Sequence, residues 1–116
     1  MTKPLRILVV EDEMTIALLI EDMLTDLGHQ VVAMAMRLQP ALQEAETADI
    51  DFAILDINLD GSPSFPVADV LMRRGVPFTF ASGYGSTGLD PAYKQHRVVR
   101  KPFQAQDLER AIEQTA

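Results

Sequence analysis

Short apolar runs alternate with amphipathic segments along the whole chain, and this alternation is the strongest constraint on its fold. The apolar runs predict five strands, at residues 5–10, 31–35, 52–56, 77–81 and 97–100. Five helical segments are predicted at residues 13–27, 39–48, 67–74, 90–95 and 104–114. Strict alternation of strands and helices implies an α/β fold with a parallel sheet that helices cover on both faces.

The number of strands limits the architecture further. Five strands are too few for a closed barrel, so an open, doubly wound sheet is expected. Its common five-stranded form is flavodoxin-like, with strand order 2-1-3-4-5. The 116 residues suffice for one hydrophobic core, and we expect residues 1–116 to form a single domain with no output domain after it.

Polar residues follow the predicted strands at the points where the strands end. Asp56 ends the apolar third strand, and Glu11 and Asp12 follow the first strand. Ser82 follows the fourth strand and Lys101 the fifth. Because open α/β sheets bind ligands beyond the carboxyl ends of their strands, we expect these five side chains to converge on one site.

The residue types at this predicted site suggest its chemistry. Three neighbouring carboxylates repel one another, so a cation is expected to offset their charge. A hard divalent cation with oxygen ligands suits them, above all Mg²⁺. Lys101 adds a compact positive charge, and Ser82 adds a hydroxyl that can donate to a phosphoryl oxygen.

Four short motifs together resemble the receiver domain of two-component response regulators. They are Glu11-Asp12, Leu55-Asp56-Ile57-Asn58, Phe80-Ala81-Ser82-Gly83 and Lys101-Pro102-Phe103. Each motif alone is weak. In this order, each after a predicted strand, they form a strong joint signal over the whole chain.

The resemblance implies a role for each matching residue. Asp56 would take a phosphoryl group from a phosphohistidine donor, while Lys101 and Ser82 hold the phosphoryl oxygens. Asp12, Asp56 and the main-chain carbonyl of Asn58 would bind Mg²⁺, and Glu11 would act through a metal-bound water. The Lys101–Pro102 peptide bond would be cis. The resemblance thus implies a domain that catalyses its own phosphorylation and dephosphorylation without being a dedicated enzyme.

The resemblance also implies partners. They are a sensor histidine kinase or phosphotransfer protein as the phosphodonor, and a downstream protein that the sequence does not identify. A homodimer through the face of the fifth strand and last helix is a further expectation. On that face Arg97, Arg100 and Arg110 could line a docking surface or be ordinary solvated charges, and we favour the second interpretation.

The chain departs from the family pattern at the switch. The family usually has Thr where Ser82 stands, and an aromatic switch residue where Val98 stands. The run from Phe80 resembles a subgroup with a Phe-Ala-Thr-Gly motif, although Tyr84 and Gly85 match it only in part. Because residues 83–88 have poor helix propensity, our hypothesis is that phosphorylation orders residues 83–96 in place of an aromatic switch.

Composition narrows the other possibilities. A formal net charge of −7 argues against a nucleic-acid-binding surface spread over the domain. The chain has no cysteine, no apolar run long enough to span a bilayer and no signal peptide, so a cytoplasmic protein without a membrane partner is expected. His29 and His96 are predicted to be surface residues and lack the spacing of a zinc site.

Two other functions are compatible with an acidic site on this fold. A Mg²⁺-dependent aspartyl phosphatase would need Asp-x-Asp on the first strand, whereas here the acids are adjacent and Asn58 follows Asp56 by two residues. A protein-interaction module with a relic site would not need its site residues to be chemically competent, but all five are.

Overall fold

The computed structural model describes residues 3–83, 90–93 and 96–115, which form one central sheet with helices on both faces. Its helices and strands are, in chain order, β1 (Arg6–Val10), α1 (Met14–Asp26), β2 (Gln30–Ala35), α2 (Leu38–Thr47), β3 (Phe52–Asp56), β4 (Asn58–Leu59), β5 (Ser62–Pro63), α3 (Phe65–Arg74), β6 (Phe78–Ser82), β7 (Val98–Arg100) and α4 (Ala105–Thr115). A 3-10 turn, Pro91–Tyr93, precedes β7.

The sheet is parallel and has the order β2-β1-β3-β6-β7. This confirms the predicted order 2-1-3-4-5, since within the described residues β4 and β5 pair only with each other. The strand register brings the strand ends to one level: Asp56 lies beside Ala81, and Ser82 lies beside Arg100. The carboxyl ends of the strands therefore form a single edge.

Two hydrophobic clusters cover the two faces of the sheet. Alternate residues of β1 divide between them, because successive strand side chains point to opposite faces. Leu8 and Val10 pack with residues of α2 and α3, whereas Ile7 and Val9 pack with residues of α1 and α4. All five residues of β3 are buried, as expected for the middle strand of a sheet covered on both sides.

Residues 57–66, where neither a strand nor a helix is predicted, contain a small hairpin. Asn58 pairs with Pro63 and Leu59 with Ser62, which leaves Asp60-Gly61 as a two-residue turn. Both turn residues have positive φ, 52° and 91° respectively. An Asp-Gly pair favours this turn because Gly has no Cβ to clash there and Asp tolerates the left-handed region.

Two helical predictions need correction. α3 begins at Phe65, two residues before its predicted start, because Pro66 fits the first helical turn, where its missing N–H is not needed. The predicted helix at residues 90–95 is, in its described part, only the 3-10 turn Pro91–Tyr93, which begins where the Asp90 carboxylate accepts a hydrogen bond from the Ala92 amide.

The prediction that His29 is a surface residue was wrong. Its side chain is only 6% exposed, and its Nδ1 accepts a hydrogen bond of 3.0 Å from the Leu5 amide. Burial lowers the pKa of His29 despite the opposing charge of Glu109. The neutral imidazole therefore serves as a structural acceptor that joins the turn after α1 to the chain before β1.

Among residues 3–83, 90–93 and 96–115, no helix combines the length and apolar character that crossing a bilayer requires.

Candidate functional site

Three carboxylates meet at the carboxyl edge of the sheet. Asp56 ends β3, and Glu11 and Asp12 directly follow β1, the strand beside it. One oxygen from each carboxylate lies within 4.8 Å of the other two. Glu11 is 1% exposed and Asp56 is 9% exposed, so the cluster is largely withdrawn from water.

Lys101 brings the opposite charge into this cluster. Its Nζ donates to Glu11 Oε1 at 2.6 Å and to Asp56 Oδ2 at 3.3 Å. The Lys101 amide donates to the Ser82 carbonyl at 2.8 Å. This bond fixes the segment that follows β7 against the end of β6. The Lys101–Pro102 peptide bond is cis, as predicted.

Burial and charge shift the pKa values of all four groups. Burial raises the pKa of Glu11 to about 7, although Lys101 opposes the shift, and burial also raises the pKa of Asp56. Burial acts to lower the pKa of Lys101, but its hydrogen bonds with Glu11 and Asp56 and their negative charges together outweigh burial and raise the pKa. Burial acts on Asp12 as well, but its hydrogen bonds, including one from the Asp60 amide, outweigh that effect and lower its pKa.

A cavity of about 630 Å³ opens above the carboxylates. Ser82 is 5% exposed and lines this cavity together with Asp12, Asp56 and Lys101. Asn58 also lines it, and its side-chain oxygen accepts a hydrogen bond from the Gly61 amide at 2.9 Å. Glu11 lies beside the cavity and accepts a hydrogen bond from Lys101, which lines the cavity. The six predicted residues thus lie at one edge of the sheet.

Among the cavity residues that were not predicted as part of the site, Asp60 and Phe65 have contacts that bear on its geometry. The Asp60 amide donates to Asp12 Oδ2 at 3.0 Å, and the Asp60 carboxylate pairs with Arg37 at 2.8 Å. Phe65, the first residue of α3, forms part of the cavity wall. The Asp-Gly turn signal could have revealed the place of Asp60, whereas nothing in the local sequence indicates that Phe65 reaches the site.

The donor set fits a hard divalent cation. It consists of carboxylate oxygens, which Mg²⁺ prefers. The single positive charge of Lys101 does not neutralise three carboxylates, so the cluster keeps excess negative charge. Asp12 is only partly buried and lines the cavity, so an ion could reach its carboxylate from solvent.

The usual switch position differs from the family pattern, as expected. Val98 is half-buried, packs against the cluster on the α2 and α3 side, and lies beside Phe80 in the sheet. Tyr84 lies outside the described residues, as does most of the segment that our ordering hypothesis concerns.

Comparison with known proteins identifies relatives of this chain. The model of the response regulator receiver domain matches residues 7–113. The phyllosphere-induced regulator PhyR of Methylorubrum extorquens is 34% identical over 93% of the chain, which spans only 42% of the length of PhyR.

Two solved structures cover nearly the same length as this chain. The solution structure of SdrG from Sphingomonas melonis Fr1 has 37% identity and a TM-score of 0.84, with 97% of each chain covered. The BeF3-activated conformation of SdrG from Pseudomonas melonis Fr1 has 38% identity and a TM-score of 0.80, covering 93% of this chain and 92% of that one.

Proposed function

The chain belongs to the response regulator receiver domain family, and on this premise we propose that Asp56 is the residue that accepts the phosphoryl group in two-component signalling. The observation that best supports Asp56 is its position at the end of the middle strand, facing the cavity, with the Lys101 ammonium 3.3 Å from its Oδ2. Among the carboxylates of the cluster, Glu11 is less accessible and Asp12 is not bonded to Lys101.

The proposed reaction is a transfer between two nucleophiles. An Asp56 oxygen attacks the phosphorus of a phosphohistidine, the P–N bond breaks, and an acyl phosphate forms on Asp56. Lys101 and the Ser82 hydroxyl would hold the phosphoryl oxygens. Asp12, Asp56 and the main-chain carbonyl of Asn58 would hold Mg²⁺ directly, and Glu11 would act through a metal-bound water; the ion would supply neutralising charge to the phosphoryl group.

Intact-mass measurement tests this proposal. After incubation with acetyl phosphate and Mg²⁺, we expect one added phosphoryl group, and none when Mg²⁺ is chelated. Borohydride reduction of the acyl phosphate, followed by peptide mapping, should place the modification on Asp56. Modification of another residue would contradict the assignment.

Receiver domains interact with histidine kinases or phosphotransfer proteins, and we propose that such a donor docks beside the cavity. Met14, Leu18 and Leu19 on α1 are 52%, 47% and 52% exposed. Leu19 also lines a small apolar depression with Lys101 and Phe103. We place the docking site of the donor's histidine-bearing helix here, because the surface is apolar and adjoins the phosphoacceptor cavity.

Leu19→Glu should reduce transfer from a phosphorylated phosphotransfer protein about 10-fold or more, since a central apolar contact would be replaced by a charge. Labelling by acetyl phosphate should be unchanged, because this small donor needs no docking surface. Met72→Glu is the matched control: Met72 is 41% exposed on α3, which packs on the other face of the sheet. Equal loss in both variants, or equal loss with both donors, would argue against this surface.

We further propose that phosphorylation promotes a homodimer through β7 and α4. The support is that β7 is the edge strand of the sheet in the described part of the chain and that α4 packs beside it. Sedimentation velocity of the phosphorylated domain should show a faster species that Arg100→Glu removes. A single monomeric species would exclude this mode of association.

A phosphohistidine donor is made from ATP inside the cell, and for this reason we propose the cytoplasm as the compartment of the chain.

A further inference from the structure

Tyr93 lies in an aromatic cluster next to the phosphoacceptor cavity. Its ring stacks on that of Phe65, with centroids 4.6 Å apart and planes inclined by only 9°. Phe80 contacts both rings edge-on, at 5.9 Å from Phe65 and 6.2 Å from Tyr93. Aromatic pairs at these distances and angles attract one another beyond the burial of their area.

The hydroxyl of Tyr93 also has a partner, in addition to the contacts of its ring. It donates to Asp69 Oδ1 at 2.6 Å. Asp69 and Phe65 lie on α3 at positions i+4 and i, which share one side of a helix. Tyr93 therefore lies along α3 and ties the 3-10 turn before β7 to it, and the hydrogen bond with Asp69 raises the pKa of Tyr93 to about 12.

The residues under Tyr93 connect it to the site. Phe65 lines the same cavity as Asp56, Ser82 and Lys101. Phe80 lies two residues before Ser82 on β6, and it is the register partner of Val98 on β7. Direct ring contacts therefore connect the cavity wall to Tyr93.

A phosphoryl group would change that wall. It adds bulk and about two negative charges to a cavity in which Phe65 is packed against two other rings. Packed interiors respond to such a change by moving between discrete arrangements rather than by deforming gradually. The polar link of the stack is the hydrogen bond between Tyr93 and Asp69, and because Asp69 is exposed, breaking this bond leaves its carboxylate in contact with water.

We propose that the hydrogen bond between Tyr93 and Asp69 is a latch that is closed in the unphosphorylated domain and opens on phosphorylation. In this domain Tyr93 replaces the aromatic switch residue that the family usually has where Val98 stands. This inference rests on the proposed function of Asp56. Opening uncovers one side of α3 and moves the turn before β7 away from it, and these form the surface that a downstream protein would distinguish. Because coupling is reciprocal, a variant that cannot close the latch should bind a phosphoryl mimic more tightly.

The chain is suited to a direct test, because it has two tyrosines and no tryptophan. In Tyr84→Phe, Tyr93 is the sole tyrosine fluorophore, and a hydroxyl bonded to a carboxylate emits weakly. We expect its emission to rise when BeF3 and Mg²⁺ are added. In Tyr84→Phe with Asp69→Asn, the emission should start high and not rise further.

Binding measurements provide the second readout. Tyr93→Phe keeps the ring stack and loses only the hydroxyl, so it and Asp69→Asn should each bind BeF3 about 5-fold more tightly, and the double variant no more tightly than either. Asp22→Asn, an exposed carboxylate on α1, is the control and should leave the affinity unchanged.

The outcomes separate the two proposals. The latch is overturned if Tyr93 emission stays constant when BeF3 is bound. It is also overturned if Tyr93→Phe and Asp69→Asn bind BeF3 no more tightly than the parent domain. In both cases Asp56 remains the phosphoacceptor. Failure of the parent domain to bind BeF3 and to accept a phosphoryl group overturns the assignment of Asp56, and the latch with it.

Discussion

Asp56→Asn is expected to abolish acyl phosphate formation, leaving no phosphorylated species after incubation with acetyl phosphate and Mg²⁺. The amide is nearly isosteric with the carboxylate, so the buried end of β3 should keep its packing. An amide nitrogen or oxygen does not act as the nucleophile at neutral pH, whereas the carboxylate oxygen does. The measurement is intact mass, with circular dichroism to confirm that the variant is folded.

Asp60→Asn is the matched control for that experiment. Asp60 lines the same cavity and its amide holds Asp12, but its carboxylate is exposed and pairs with Arg37 outside the cluster. We expect this variant to be labelled like the parent domain. If Asp56→Asn were still labelled, or if Asp60→Asn lost labelling in the same way, Asp56 could not be the single acceptor.

Lys101→Met should destabilise the metal-free domain strongly at alkaline pH and only weakly at acidic pH. Lys101 is the cation bonded to two largely buried carboxylates, Glu11 and Asp56, and its own side chain is only 18% exposed. Removing one partner of a buried ion pair typically costs about 3–5 kcal/mol, because a charge is left without compensation. We expect a loss near the lower end of that range at about pH 8, since Lys101 retains some contact with water.

The pH dependence follows from the direction of the pKa shift. The folded-state pKa of Glu11 is about 7, above the value of 4.5 expected for an unperturbed carboxyl. Its proton therefore stabilises the fold below pH 4.5, and that contribution is lost as the pH rises through the folded value. Lys101 acts to lower this pKa, so its removal raises the pKa of Glu11 further. The loss of folding stability then continues at pH values above 7.

Urea unfolding in the presence of a chelator measures this effect. The midpoint of Lys101→Met should approach that of the parent domain at about pH 5.5 and fall well below it at about pH 8. Lys3→Met provides the control, because Lys3 is exposed and belongs to neither ion pair of the site. A constant difference between the midpoints at both pH values would show that Lys101 acts through packing alone.

The strand order and the placement of the site could be predicted because they depend on local patterns. Each apolar run ended where its strand ends to within a residue, and a parallel sheet collects those ends at one edge. Asp56, Ser82 and Lys101 therefore met as expected once the order was known.

Features that depend on contacts between distant segments could not be predicted in this way. The burial of His29 follows from its bond to the Leu5 amide, 24 positions away, which no local pattern contains. The stack of Tyr93 on Phe65 likewise requires α3 and the turn before β7 to be placed first. The hairpin after β3 is different, since the local Asp60-Gly61 pair is itself a turn signal from which a hairpin can be predicted.

The shortness of β7 has a consequence for how the site keeps its charge. In the part of the chain that the structure describes, this edge strand of three residues is bonded on one side only, through β6, and Lys101 follows it directly. Edge segments with few backbone bonds open more readily than central strands. Amide exchange should therefore be faster at Val99 than at Leu55, and each such fraying event would carry the ammonium away while the acids stay in place.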